Sequence, residues 1–126
     1  VNELQNFFET PQGFIPKNQL LPLEQLFADP ATVAQLYFGV PYLWGGNSTR
    51  GVDCSGLVQA AYHACGYLCA GDSDLQRDGL GRLLESGENL LRGDLIFWDG
   101  HVAMMVDADT MIHANAHHMA VVYDGL

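Results

Sequence analysis

The chain has 126 residues, nearly half of them hydrophobic, which is enough for one ordinary domain with a hydrophobic core. Its net charge is −10, and it contains only five lysines and arginines. Nucleic acids and anionic membrane surfaces are therefore not expected as partners, because both bind clustered positive charge. No apolar run is long enough for a membrane span, and the first residues lack the basic and apolar regions of a signal peptide.

The N-terminal stretch, residues 1–22, contains prolines and aromatic residues and is too short to form a domain by itself. Within it, Gly13–Pro16 has the pattern of a short strand followed by a stop. We interpret residues 1–22 as the tail of a preceding domain, or as a linker arm packed on the domain of residues 23–126. In that domain a first helix has Asp29-Pro30 at its start, as N-cap and first-turn proline, and Gly39 at its end.

Two adjacent glycines, Gly45 and Gly46, favour a tight turn or a close approach of another group to the backbone. A polar loop then leads to a second helix. Its N-cap is Asp53, whose side-chain oxygen can accept hydrogen bonds from the free amides of a first helical turn. Apolar residues at helical spacing predict that this helix covers Cys54–Cys65 and that Gly66 ends it.

Cys54 falls in the first turn of this helix, where the partial positive charge of the helix terminus favours a thiolate over a thiol. A thiolate is the nucleophilic form of cysteine, so Cys54 is a candidate nucleophile. The alternative is a small buried cysteine that only packs. Three cysteines are an odd number and do not form a disulfide framework. Cys65 and Cys69 could bridge or bind a metal together, but we expect two half-buried thiols at a helix end.

Ser73 or Asp74 is expected to cap a third helix that runs toward Leu84, although glycines near its end weaken this prediction. Beyond residue 90 the pattern changes to short apolar runs separated by turns, and Asp99-Gly100 is a strong hairpin signal. Helices followed by an antiparallel meander predict an α+β fold. The four predicted strands are Leu95–Trp98, His101–Val106, Thr110–Asn115 and Ala120–Tyr123.

The turn at Asp107–Asp109 fixes the predicted register of the second and third of these strands. If it is a three-residue loop, Ala103 faces His113 and His101 faces Asn115. His101 and His113 then lie on one face of the sheet as diagonal neighbours, about 7 to 8 Å apart at the backbone, so their side chains can touch. An imidazole oriented by a second polar side chain is what a cysteine nucleophile requires.

The histidines also have other possible roles. A single histidine at a strand start is more often structural than catalytic, and we assign His117 and His118 a structural or supporting role. The cluster of His101, His113, His117 and His118 with Cys54 could bind zinc, but its spacing matches no closed structural zinc pattern. No metal or other cofactor is therefore predicted.

Five segments of the chain form a recognisable set: Pro41–Gly46, Asp53–Val58, Gly93–Phe97, Gly100–Ala103 and Ile112–Ala114. Taken together and in this order, they resemble the NlpC/p60 family of cell-wall cysteine peptidases. The resemblance extends from about residue 30 to the C-terminus. The order of cysteine, histidine and third polar residue is that of the family and not that of its permuted relatives, in which histidine comes first.

The resemblance implies a papain-like catalytic core, in which N-terminal helices pack on an antiparallel β-sheet. It also implies a thiol peptidase in which Cys54 is the nucleophile, His101 the base and His113 the orienting third residue. Family members cleave peptidoglycan stem peptides, commonly between γ-D-glutamyl and a diamino acid, so peptides derived from peptidoglycan are the expected partners.

Three further residues acquire roles from the resemblance. Asp53 and Ser55 would lie near the substrate and bind the free amino end of the peptide. Tyr42 matches the family's active-site tyrosine and would stabilise the oxyanion together with the backbone amide of Cys54. A second hypothesis is a non-catalytic module that keeps the same fold and binds cell-wall fragments in its groove.

The resemblance also bears on the ends of the chain. Gly13–Pro16 would be the last strand of a Src-homology-3-like domain that precedes the peptidase domain in some members. Because the chain ends about a dozen residues after His113, one or two closing strands are expected to be missing. The implied source is bacterial, with a role in cytoplasmic recycling of wall peptides or in the cell envelope. The sequence decides neither the compartment nor the oligomeric state.

Overall fold

The computed structural model describes all residues from Val1 to Leu126 and contains three α-helices, one short 3-10 helix (Lys17–Gln19) and three antiparallel sheets. The predicted α+β class is confirmed. The helices are α1 (Pro30–Leu36), α2 (Cys54–Ala64) and α3 (Ser73–Gly79). The strands are β1 (Asn2–Glu3), β2 (Phe7–Thr10), β3 (Gly13–Pro16), β4 (Asn47–Ser48), β5 (Gly51–Val52), β6 (Leu95–Trp98), β7 (His101–Met105), β8 (Thr110–Asn115) and β9 (Ala120–Gly125).

Helices α1 and α2 begin at the predicted capping residues. The side chains of Asp29 and Asp53 each accept a hydrogen bond from a first-turn amide, at 3.0 and 2.7 Å respectively. Helix α1 ends at Leu36, earlier than the predicted Gly39, because the chain already tightens at Tyr37. Gly39 still has a left-handed conformation, with φ of 83°, and it redirects the chain beyond the helix.

The third helix differs from its prediction at both ends. Its N-cap is Asp72 and not Ser73 or Asp74, and no side chain caps it. The helix ends at Gly79, well before the predicted end. Gly81 then adopts a positive φ of 62°, which a right-handed helix cannot continue through. The glycines that weakened the prediction are therefore where the helix stops.

The main sheet consists of β6, β7, β8 and β9 in that order, and every neighbouring pair is antiparallel. Its central register is the predicted one, because Met104 pairs with Ile112 and Met105 with Met111. This alignment places Ala103 opposite His113. The two histidines of interest therefore share one face of the sheet, since residues alternate between faces along a strand.

Strand β9 is longer than predicted and runs to Gly125 rather than to Tyr123. It pairs with β8 along its whole length, from Asn115 opposite Ala120 to Thr110 opposite Gly125. The extension adds Asp124 and Gly125 to the strand, and the side chain of Asp124 contacts His113.

The N-terminal strands β1, β2 and β3 form a separate three-stranded sheet, in which Gly13–Pro16 is the third strand as predicted. This sheet shares no strand pairing with the main sheet. Two of its aromatic side chains, Phe7 and Phe14, are exposed to solvent.

The main hydrophobic core lies between helices α1 and α2 and one face of the main sheet. Leu57 and Val58 of α2 and Val102 and Met104 of β7 are fully buried in it. A smaller cluster around Met105 belongs to the other face. The core therefore fixes helix α2 against strand β7, which determines how their first residues meet. None of the three helices combines the length and the apolar character needed to cross a membrane.

Candidate active site

Cys54 is the first residue of helix α2 and is largely buried, with 8% of its surface exposed. The backbone amides of Val102 on strand β7, of Ser55 and of Cys54 itself are close enough to its sulfur to lower the pKa of the thiol. The first turn of α2 therefore packs against the start of β7, beside His101. A nucleophile at Cys54 with His101 as its base would need this packing, which the sequence alone does not show.

The protonation of Cys54 differs from the prediction. Burial raises the pKa of the Cys54 thiol above its ordinary value, and the neighbouring Asp53 carboxylate raises it further. The three backbone amides lower this pKa but do not offset the burial. The predicted preference for a thiolate is therefore wrong for the resting protein, because the effect of the helix terminus is smaller than the cost of burying a charge.

His101 contacts His113 directly, since the Nε2 atom of His101 lies 2.8 Å from Nδ1 of His113. Burial, and then the proximity of His113, lower the pKa of His101 below its ordinary value. His101 is thus a neutral imidazole at neutral pH, the form that can accept a proton. Because Nε2 is engaged with His113, Nδ1 is the nitrogen left for a reacting group.

A second layer of polar groups lies behind His113. Its Nε2 atom is 2.8 Å from Oδ2 of Asp124 and 2.9 Å from Nδ2 of Asn115. His118 approaches the same Asp124 oxygen at 3.4 Å, and His117 packs edge-on against His118. These two histidines therefore flank the site from behind and do not line it.

Asp53 connects the loop before helix α2 to the helix itself. Its carboxylate accepts hydrogen bonds from the amide of Gly45 at 3.0 Å, the hydroxyl of Ser55 at 3.2 Å and the amide of Gly56 at 2.7 Å. Gly45 has a positive φ of 72°, so the predicted tight turn is present. The predicted N-cap role of Asp53 is confirmed by this geometry.

A cavity of about 560 Å³ brings most of the predicted site residues together. Cys54, His101, Asp53, Ser55 and Tyr42 all line it, and His113 is buried behind His101. The other lining residues are Trp44, Asp72, Ser73, Asp74, Leu75, Gly100, Asn115 and Ala116.

The hydroxyl of Tyr42 remains protonated in this cavity and can donate a hydrogen bond. Burial, with the nearby Cys54 and Asp53, raises the pKa of Tyr42 above its ordinary value. A protonated phenol in the same cavity as Cys54 is suited to stabilising a developing negative charge.

Several lining residues were missed by the sequence analysis. Asp72 and Asp74 lie at the start of α3, whose approach to the cavity depends on the loop before it, so nothing local indicates their position. Asn115, which lines the cavity, and Asp124, which lies behind it, could have been found. The predicted register already placed Asn115 opposite His101, and one more residue of β9 would have put Asp124 diagonally across from His113.

The structure also shows the state of the other two cysteines and bears on the possibility of a zinc site. Cys65 and Cys69 are free thiols, the first buried and the second half-buried. No group of three or more histidine, cysteine or acidic side chains between Val1 and Leu126 has an arrangement that could hold a metal ion.

Comparisons with known proteins identify the family of this chain. The family model described as NlpC/P60 matches residues 39–124. The chain belongs to the NlpC/P60 family. It is 35% identical over 95 residues to a γ-D-glutamyl-L-lysine dipeptidyl-peptidase of Bacillus cereus, covering 68% of this chain and 28% of that protein. The corresponding dipeptidyl-peptidase of Bacillus subtilis is 31% identical over 115 residues, covering 82% of this chain and 38% of that protein.

Solved structures of the NlpC/P60 family have the same fold. A family member from Bacillus cereus has a TM-score of 0.77 at 27% identity, covering all of this chain and 47% of that chain. The peptidoglycan hydrolase RipB of Mycobacterium tuberculosis has a TM-score of 0.70 at 32% identity, covering 77% of this chain and 56% of that chain. These matches confirm the predicted family and fold.

The comparisons also bear on the two function hypotheses. The two dipeptidyl-peptidases and RipB are named as peptidases or a peptidoglycan hydrolase, so they do not favour the non-catalytic alternative. The two dipeptidyl-peptidases are much longer proteins, and this chain spans only 28% and 38% of their lengths.

Proposed function

We propose that this chain is a cysteine endopeptidase that hydrolyses peptidoglycan stem peptides at the γ-D-glutamyl–diamino acid bond. The observation that carries the proposal is the cavity in which Cys54, at a helix start, lies beside His101, itself hydrogen-bonded to His113. A nucleophile, a base and a group that orients the base are the three parts of thiol-peptidase chemistry.

The first chemical step transfers the thiol proton of Cys54 to Nδ1 of His101 as the sulfur attacks the scissile carbonyl carbon. The hydroxyl of Tyr42 and the backbone amide of Cys54 donate hydrogen bonds to the oxyanion. His101 then gives the proton to the leaving amine, and the C–N bond breaks to leave a thioester on Cys54. Water, deprotonated by His101, attacks the thioester and releases the γ-glutamyl acid and the free thiol.

The charge of the cavity supports a substrate with ammonium groups. Asp53, Asp72 and Asp74 line it, and no lysine or arginine does. The free amino end of a stem peptide and the side-chain amine of a diamino acid both carry positive charge at neutral pH. Because the carboxylate of Asp53 already accepts three hydrogen bonds, Ser55 and the outer edge of Asp53 together form the contact that we propose for the amino end.

The test is hydrolysis of a short peptide that has a free amino end and a γ-D-glutamyl-L-lysine bond, with products identified by mass spectrometry. Cys54→Ala should abolish product formation and leave the fold intact. Cys65→Ala is the matched control, since it removes a buried thiol elsewhere and should retain turnover. Full activity in Cys54→Ala would refute the proposal, and so would binding of the peptide by the wild-type chain without product.

We also propose that residues 1–22 are the tail of a preceding Src-homology-3-like domain or a linker arm, and that residues 23–126 are the peptidase domain. The independent sheet of β1, β2 and β3 and the exposed side chains of Phe7 and Phe14 support this division. The two Bacillus dipeptidyl-peptidases and RipB of Mycobacterium tuberculosis are bacterial proteins, which supports a bacterial source for this chain. Action on wall peptides is compatible with the cytoplasm and with the cell envelope.

A further inference from the structure

Asp124 lies near the end of strand β9 and contacts the site only through His113. Its Oδ2 atom is 2.8 Å from Nε2 of His113, a side chain that is 7% exposed, whereas the Asp124 side chain is 36% exposed. We propose that Asp124 is a positioning residue for the peptidase reaction, because it selects the tautomer of His113 and, through it, the tautomer of His101. This inference rests on the proposed function for its effect on turnover, but not for its effect on the histidines.

The position of each hydrogen follows from the carboxylate inward. The hydrogen bond to His113 keeps the pKa of Asp124 below its ordinary value, so the carboxylate is ionised and can only accept. Nε2 of a neutral His113 must then carry the hydrogen, and its Nδ1 accepts. The hydrogen between the two rings therefore belongs to Nε2 of His101, which leaves Nδ1 of His101 free to take the thiol proton.

Asn115 makes the selection necessary. Its Oδ1 accepts a hydrogen bond of 2.8 Å from the backbone amide of His118, which fixes the orientation of the amide. Its Nδ2, a donor, is therefore turned toward Nε2 of His113 at 2.9 Å. Two groups of opposite preference thus face one nitrogen: Asp124 requires a hydrogen on it, and Asn115 favours a bare lone pair.

Without Asp124, the donor of Asn115 determines the tautomer. His113 would then carry its hydrogen on Nδ1 and donate it to Nε2 of His101. His101 would in turn carry its hydrogen on Nδ1, the nitrogen that must accept the thiol proton. A hydrogen bond to an ionised acceptor is roughly twice as strong as one between neutral groups, so Asp124 prevails when it is present.

The experiment records two-bond ¹H–¹⁵N spectra of the full chain labelled with ¹⁵N-histidine, at a pH where the imidazoles are neutral. The wild type should show His113 protonated at Nε2, and Asp124→Ala should show it protonated at Nδ1. In a peptide assay Asp124→Ala should lower kcat with KM little changed, by about 10- to 100-fold if the effect equals that of the carboxylates that support metal-binding histidines. Adding Asn115→Ala to Asp124→Ala should restore part of the Nε2 tautomer and of kcat.

Two controls separate this effect from loss of structure. His118→Ala removes the other contact to the carboxylate, at 3.4 Å, and should leave the His113 tautomer unchanged. Asp124→Asn keeps an acceptor of the same shape without the charge, and it should show both tautomers and an intermediate kcat. If Asp124→Ala fails to fold, the Asp124→Asn spectrum decides the question.

If the Asp124 variants had the same spectrum and the same kcat as the wild type, the inference would be overturned. The proposed function would still stand, because the wild-type chain would have hydrolysed the peptide. Absence of turnover in the wild-type chain would instead refute the proposed function, and the spectra would still report the tautomer. A double variant that recovers nothing, although Asp124→Ala shows the Nδ1 tautomer, would overturn the role given to Asn115.

Discussion

Replacing Gly56 with alanine would destabilise this fold, although alanine is the better helix former. Gly56 is in the first turn of α2, immediately after the nucleophile and its serine neighbour. A Cβ atom at this position would lie 2.3 Å from the backbone oxygen of Gly46 and 2.9 Å from Oδ1 of Asp53. Neither contact is the flexible end of a long side chain. The same Gly46 oxygen accepts the amide of Asp53, so a methyl group would separate the loop from the helix cap.

Two opposing effects, helix propensity and steric overpacking, determine the stability of Gly56→Ala. Helix propensity alone would make alanine about 1 kcal/mol more stable than glycine. Overpacking a tight site costs about 1–3 kcal/mol, and a clash with backbone oxygen belongs at or above the upper end of that range. We therefore expect the free energy of unfolding of Gly56→Ala to fall by about 2 kcal/mol. For a domain of this length the corresponding loss in Tm is about 6–10 °C.

Chemical denaturation followed by circular dichroism measures this change, with peptide hydrolysis measured in parallel. Gly79→Ala is the matched control, because Gly79 is the last residue of α3 and a Cβ there meets no atom within 4 Å. It should be neutral or stabilising by up to about 1 kcal/mol. If Gly56→Ala were as stable and active as the wild type, the close packing of the loop on the nucleophile helix would be disproved.

Three other measurements test the site. His113→Ala should lower kcat/KM, but less than His101→Ala does. His113→Gln should retain more activity than His113→Ala, because glutamine keeps a polar atom near the base, and equal losses in these two variants would contradict an orienting role. Gln76→Leu should lower the free energy of unfolding by about 2 kcal/mol in urea, because the buried carbonyl of Ser55 and the partly buried carbonyl of Ala70 lose their donor; removal of the unpaired side-chain oxygen offsets only part of this loss. The acidic limb of kcat/KM should have its midpoint below pH 6.5, since a lowered pKa keeps His101 neutral to lower pH, and a midpoint above 6.5 would contradict this.

The relation between the two histidines of the candidate site could be predicted because it depends on local rules. A three-residue turn sets which residues of β7 and β8 are opposite, and the pleat sets which of them share a face. His101 and His113 were placed together on these grounds, and the structure has them 2.8 Å apart. Asp124 was missed for a reason of the same kind: the predicted fourth strand ended one residue too early to include it.

The protonation of Cys54 could not be predicted from local rules. A capping residue and a helix start are visible in the sequence, and both are present in the structure. The burial of the sulfur against strand β7 depends on how two distant segments pack, which no local pattern contains. The acidic residues Asp72 and Asp74 reach the cavity through the same kind of tertiary contact.

The raised pKa of Cys54 explains why the tautomer of His101 matters in this site. In a preformed thiolate–imidazolium pair, both ring nitrogens of the histidine carry hydrogens and there is no tautomer to select. Here burial favours a neutral thiol and lowers the pKa of His101, so the resting pair is neutral. A neutral imidazole accepts the thiol proton only if the nitrogen that faces the sulfur is bare. The chain from Asp124 through His113 to His101 therefore does what the helix terminus alone cannot do: it prepares the base, because the nucleophile is not already ionised.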